Sequence, residues 1–437
     1  MSDRDVPNSR SAAPSAESLR IQAEWVLPIH GPPLHWGCVR IRAGRIEAVE
    51  PGTQPRPEPD PSRITLRGTV LMPGLINAHC HLELSGWNRP RAARQEFRHW
   101  VPEVVAFRRS SEYRPDEAVR AGLAESLRHG IVWIGDIVPA ALLDRSSGGD
   151  GEDGGSPPQG PRPGVTAFLE IVAPLGKEPR EIAALVESHL KLCEARGWRP
   201  GLSPHAPYTI PLAVLGEIAG WCRRHELPLA IHLGETAEER RLLQRGDGPL
   251  REMLERLSAF DPRQFPGGAD WCDYLARLSD VPRLLVIHGN HLDTAAIRRL
   301  AGMGNATVVY CPRTHRRFTD ATYPMALYRE AGIPVAVGTD SRATAPDLSL
   351  WRELGAAGAG LPGLSPKDLL EMVTAIPARA LGVDGEIGTL EPGKRADLTA
   401  VAVSQNSDDP YAALLGPEAT VSRVWLAGQP VVAQGEA

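Results

Sequence analysis

This chain has no excess of positive charge, no regular cysteine pattern and no long apolar run, and each absence removes a class of function. Its 48 Lys and Arg against 53 Asp and Glu leave a net charge of -5 and a pI near 6.3. There is thus no basic field for nucleic acid or an anionic membrane, and a small-molecule partner is expected. The six cysteines, Cys38, Cys80, Cys193, Cys222, Cys272 and Cys311, form no C-x-x-C pair, which argues against a disulfide framework and against a structural zinc site. They read as buried thiols of a reducing cytosol. No uninterrupted apolar stretch of about eighteen residues occurs, so no transmembrane span is expected. The opening MSDRDVPNSRSAAPSAES is polar and lacks the apolar core of a secretory signal. These features predict a cytoplasmic protein with a disordered tail over residues 1–19.

With 437 residues, 42% hydrophobic and 23% charged, the chain can bury a large core and form one large domain plus a smaller one. Short strands and turns fill residues 20–70, and the same texture returns over 385–437 in GEIGTLEPGKRADLTAVAV and SRVWLAGQPVVAQG. Two β-rich ends around a long middle predict a small composite β-sandwich built from both. Residues 71–384 alternate apolar strands with amphipathic stretches. The strand candidates are VLMPGLINAHCHLE, IVWIGDIV, VTAFLEIV, RPGLSPHAPYT, LPLAIHLGE, RLLVIHGNHL, ATVVYCP and IPVAVGTDS, the first beginning just before the domain does. Eight such units over about 300 residues predict an α/β fold, a (β/α)8 barrel, with an open doubly wound sheet as its rival. RSSGGDGEDGGSPPQGPRPG, residues 145–164, has nothing to pack and is expected to be a disordered surface insertion.

In PGLINAHCHLE an apolar run ends in His79 and His81, and on a strand residues i and i+2 project to the same side. Taken alone the pair reads as two surface imidazoles at a strand end. Its partners change that reading. His205 follows the fourth strand, His232 and Glu235 the fifth, His288 the sixth and Asp340 the eighth, and barrel sites form at these strand ends. Each has an ordinary explanation by itself: a satisfied core histidine, a first-turn carboxylate, an N-cap. Five strand ends carrying such groups together point to one ion, because burying them unpaired costs several kcal/mol each. His79, His81, His232 and Asp340 form a fitting shell for one divalent ion, zinc or alternatively ferrous iron. Such an ion lowers the pKa of water toward about 7. Asp340 is then placed to relay a proton, His288 to orient the water, and Glu235 to act as general acid. His30, His35, His99, His129, His189 and His225 are expected to be ordinary surface residues.

PGLINAHCHLE, HLGET, VGTDS and GEIGTLEPGKRADL, in this order, resemble the amidohydrolase superfamily over nearly the whole chain. The resemblance is to its single-metal branch of nucleobase and nucleoside deaminases and triazine chlorohydrolases. It implies a barrel with a composite β-sandwich and one catalytic metal. The fourth strand, SPHAPYT, has no lysine, unlike the binuclear members, and is similar to the substrate-contacting segment of the nucleoside deaminases, which would make His205 a donor to substrate. In methylthioadenosine/S-adenosylhomocysteine deaminases a glutamate on the first barrel helix holds the ribose; here Arg108 stands in that stretch. CPRTHRRF adds Arg313 and His315 after the seventh strand. Cations facing a pocket suit an anionic substrate. HLELSGW, a W-x7-R helix and the CPRTH segment together resemble the aminodeoxyfutalosine deaminases of menaquinone biosynthesis. That resemblance implies a purine nucleoside linked to a benzoate, which Arg108 or Arg313 would pair with. Inter-helix salt bridges are the alternative for these arginines. A methylthioadenosine/S-adenosylhomocysteine or nucleobase deaminase, a triazine-type chlorohydrolase and a non-catalytic ligand-binding barrel stay open, and a homodimer is compatible with the reading.

Overall fold

The computed structural model of the protein describes residues 18–54, 63–143, 161–361, 363–404 and 408–433. Most of the expected tail and of the expected 145–164 insertion lies outside the described residues, although Leu19 already opens a strand. Eight parallel strands form the barrel: Leu75–Cys80, Ile131–Pro139, Gly164–Ile171, Arg199–Pro204, Leu229–Leu233, Leu284–His288, Ala306–Tyr310 and Val335–Val337. Each pairs with the next in chain order, with no reversal of order, which excludes the doubly wound rival. Several are buried at every residue, as parallel strands covered by helices outside and packed side chains inside must be.

The helices carry their own boundary signals. Pro179–Arg196 begins with a capping box between Glu178 and Glu181 and ends at Gly197 in the left-handed conformation. On its inner face His189 is fully buried, with Nε2 2.9 Å from the Ala167 carbonyl. This corrects the expectation of a surface residue: helical spacing alone does not reveal which face turns inward.

The seam between the last and first strands is closed differently at its two ends. At the top, Asp340 bridges Cys80, the Asp340 N–H donates to the His79 carbonyl (3.1 Å) and the His81 N–H to the Asp340 carbonyl (3.0 Å). Below, Met372 and Val373 fill the gap, accepting from Val337 and Ile76, both at 2.8 Å. The Asn77 side chain adds two bonds across the seam, donating to Thr339 Oγ1 at 2.7 Å and accepting from the Thr339 N–H at 3.1 Å.

A second, mixed sheet is assembled from both chain ends. Leu19–Val26, Leu34–His35, Cys38–Arg42, Arg45–Glu50 and Arg63–Pro73 join Leu398–Ala402, Thr420–Leu426 and Gln429–Ala433. It has a core of its own around Ile21, Val39, Ile46, Leu71, Leu398 and Trp425. Val70–Pro73, read from sequence as the start of the first barrel strand, belongs to this sheet. The chain passes between the sheets at Gly74, where an added Cβ would lie 2.2 Å from Val132 Cγ1. Gly74→Ala is therefore expected to cost about 1–3 kcal/mol through overpacking. A lowered thermal unfolding midpoint checks this, and an unchanged midpoint would contradict the tight junction.

Among the described residues all six cysteines are free, and no helix is long and apolar enough to cross a membrane.

Candidate active site

Alternation on the first strand turns His79 inward, and His81, just past its end, projects to the same side. His232 arrives from the fifth strand, and one ligand atom from each of the three rings lies within 4.8 Å of the others. His81 Nε2 and His232 Nε2 are 3.4 Å apart. Two nitrogens bound to one tetrahedral zinc at about 2.0–2.1 Å would be separated by about 3.4 Å. Asp340 Oδ1 is 3.7 Å from His79 Nε2 and 3.8 Å from His81 Nε2.

The hydrogen-bond inventory also fits an ion. His79 is 1% exposed, yet neither ring nitrogen has a partner, and His81 Nδ1 has none. Buried imidazoles left in this state call for an ion or ordered water. His232 is fixed from behind, its Nδ1 3.0 Å from the His205 carbonyl, so Nε2 is free to bind. Burial holds the His81 ring neutral, lowering its pKa to about 3, with the nearby His79 adding to the effect. Burial likewise carries His232 well below the usual histidine range. Neutral rings are what a metal needs. A divalent ion is the group that this donor set accommodates.

His288 and Asp340 both have positive φ, 70° and 57°. That conformation costs a residue with a side chain about 1–3 kcal/mol, and here it occurs where two strands hand side chains to the site. His288 Nε2 lies 3.5 Å from Glu235 Oε1. Burial lowers the His288 pKa to about 3. Burial, reinforced by the charge of Asp340, pushes Glu235 well above the usual carboxylate range and favours its protonated form. Burial acts on Asp340 in the same sense but is outweighed by the surrounding imidazoles, His79 foremost with His288 and His81, which hold its carboxyl below the usual carboxylate range. Behind Glu235, the buried Glu239 accepts from the Gly234 N–H at 2.8 Å and steadies the turn after the strand.

A cavity of about 250 Å³ opens onto these groups, with His81, His205, His232, Glu235, His288 and Asp340 in its wall. Phe97, Trp100, Val101 and Val104 from one helix, and Met253 and Leu254 from another, add apolar groups to that wall. His205 is held by Thr209, whose Oγ1 is 2.7 Å from its Nδ1.

The residues expected to meet an anionic substrate are distributed differently. Arg108 lines the cavity, but its guanidinium is already taken: Nη2 pairs with Glu83 at 2.7 Å and Nη1 with Glu170 at 3.0 Å. Arg313 and His315 are absent from the cavity wall. Arg313 is committed to Asp347 at 2.8 Å and to Glu353 at 2.5 Å, which is the salt-bridge alternative. His315 packs among aromatic rings, its Nδ1 3.2 Å from the Tyr310 hydroxyl. Sequence reasoning overlooks Glu170, although a carboxylate inside the apolar run VTAFLEI is a visible signal, and it overlooks Asn77 in LINAHC for the same reason.

Known proteins extend these observations. The model of the amidohydrolase family matches residues 70–431. An aminodeoxyfutalosine deaminase of Deinococcus radiodurans is 30% identical, over 72% of this chain and 74% of the relative. A 5-methylthioadenosine/S-adenosylhomocysteine deaminase of Teredinibacter turnerae is 27% identical over 94% and 91%. The fold is shared with Helicobacter pylori aminofutalosine deaminase in complex with methylthio-coformycin, at a TM-score of 0.78 and 21% identity, covering 95% of this chain and all of that one. A zinc-bound adenosine deaminase from Xanthomonas campestris superposes at 0.72 with 25% identity, over 96% and 93% of the two chains. The family match over most of the chain, together with the imidazole cluster at the mouth of the barrel, identifies the protein as a hydrolytic enzyme of the amidohydrolase family.

Proposed function

We propose that this enzyme is a deaminase of adenosine-type nucleosides: water replaces the exocyclic amine of the ring by a carbonyl, and ammonia leaves. The observation that carries the reading is the Glu235–His288 pair, 3.5 Å apart beside the imidazole cluster at one end of the cavity. A divalent ion held by His79, His81, His232 and Asp340 would supply Lewis-acid activation of water at neutral pH. Glu235, protonated by virtue of burial, donates its proton to the ring nitrogen next to the carbon under attack. Asp340 Oδ1, ionised, accepts the proton of the attacking water and passes it to the leaving amine. His288 holds the attacking oxygen through Nε2, and His205 steadies the ring of the substrate.

The substrate we propose is 6-amino-6-deoxyfutalosine, which would place the enzyme in menaquinone biosynthesis; the Deinococcus relative supports this choice. The Teredinibacter relative supports methylthioadenosine or S-adenosylhomocysteine as the second reading. Ammonia release should be measured over aminodeoxyfutalosine, methylthioadenosine, S-adenosylhomocysteine, adenosine, guanine and cytosine. The expected result is the highest kcat/KM with aminodeoxyfutalosine, at least about tenfold above the others, a difference of 1.4 kcal/mol. Preference for methylthioadenosine would overturn the substrate and keep the class. No ammonia from any compound, with metal bound, would sink both.

A further inference from the structure

Arg108 sits between two carboxylates that play different parts. Glu83 is fully buried and absent from the cavity wall, whereas Glu170 lines it. Arg108 takes only Oε2 of Glu170; Oε1 accepts no hydrogen bond from a described residue and is not sealed from solvent. The guanidinium is already matched by these two side chains, so this part of the wall offers no unpaired cation to an anion. A second cation would compete with Arg108 for the same oxygens. A neutral hydroxyl donor satisfies Oε1 without either penalty, and hydrogen bonds to charged acceptors are the stronger kind.

The position matters as much as the charge. Glu170 is the next-to-last residue of the third strand and lies near His81 and His205. Its partner Arg108 is the last residue of Phe97–Arg108, the helix that supplies the apolar Phe97, Trp100, Val101 and Val104 to the cavity wall. The carboxylate is therefore tied to both groups of lining residues, lying near the imidazoles and joined through Arg108 to the helix that carries the apolar ones. Resting on the nucleoside reading above, we infer that Glu170 accepts the hydroxyls of the substrate's sugar. This contact sets the base against the imidazole cluster and the group beyond the sugar against the apolar residues of the wall. Arg108 and Glu83 are positioning residues that keep the Glu170 carboxylate aimed.

The test compares kcat/KM for the nucleoside that releases ammonia fastest and for its 2′,3′-dideoxy form, in the wild type, Glu170→Gln and Glu83→Gln. A hydrogen bond to a charged group contributes about 1.5–3 kcal/mol, so the wild type should prefer the ribose form by roughly 10- to 150-fold. Glu170→Gln should reduce that preference below about threefold while leaving the dideoxy substrate nearly unchanged. Glu83→Gln leaves Glu170 in place but loosens the guanidinium that aims it, and should lower the preference only in part, to a value between those of the wild type and of Glu170→Gln. Equal losses on both substrates in Glu170→Gln would overturn the inference. So would a wild type that does not distinguish them, a result independent of whether any variant folds. No ammonia from any ribonucleoside would instead remove the nucleoside reading, and this inference with it.

Discussion

Glu235→Gln is expected to lower kcat by about a thousandfold with the bound ion retained, the middle of the range that general acid catalysis contributes. Gln keeps the size of the side chain and can still face His288, but it has no acidic proton to give. The carboxyl is buried beside the ionised Asp340, and both influences hold its pKa up. The sign of the pH dependence follows: the donor form is present at low pH and is lost as pH rises through the raised pKa. In the wild type the alkaline fall of kcat/KM should therefore contain this group, and in Glu235→Gln that component should vanish. Equal metal content in the two proteins separates loss of the acid from loss of the site. A variant within about tenfold of wild type would remove Glu235 from the chemistry.

Removal of divalent ions by a chelator is expected to abolish ammonia release and to lower the thermal midpoint, with both restored by zinc or ferrous ion. The imidazoles of His79, His81 and His232 are buried in the folded barrel and dispersed in the unfolded chain, so an ion that binds only the folded state stabilises it. The stabilisation reaches about 4 kcal/mol when free ion exceeds its Kd a thousandfold. His79→Ala should reproduce the loss of bound metal, and added ion should then raise neither activity nor midpoint. Full activity in the chelated protein would overturn the metal site. Comparing the restored rates with zinc and with ferrous ion addresses which metal serves better.

The barrel and the cluster of imidazoles at its mouth are legible in the sequence because strand periodicity alone places them. His79, His81, His232, His288 and Asp340 each close an apolar run, and the end of a parallel strand in this fold is a position on the site. The substrate side is less legible. Arg108 reads as a free cation on its helix; its partners Glu83 and Glu170 lie 25 and 62 residues away and reach it only through the fold. Arg313 likewise turns toward Glu353, 40 residues further on, and away from the cavity. Whether a charge is free depends on tertiary neighbours that no local pattern encodes. The split of VLMPGLINAHCHLE at Gly74 is of the same kind, since the run looks continuous until Val132 presses against the glycine.

The seam where the last strand meets the first also has a consequence in time. Asn77 and Thr339, which join across it, are 262 residues apart in the chain. At synthesis rates of about 5–20 residues per second, the histidine pair leaves the ribosome roughly 13–50 s before Asp340 exists to join it. His232 emerges in the interval. A growing chain thus presents three imidazoles without their carboxylate, and the four groups proposed to hold the ion come together only when the final turn of the barrel docks.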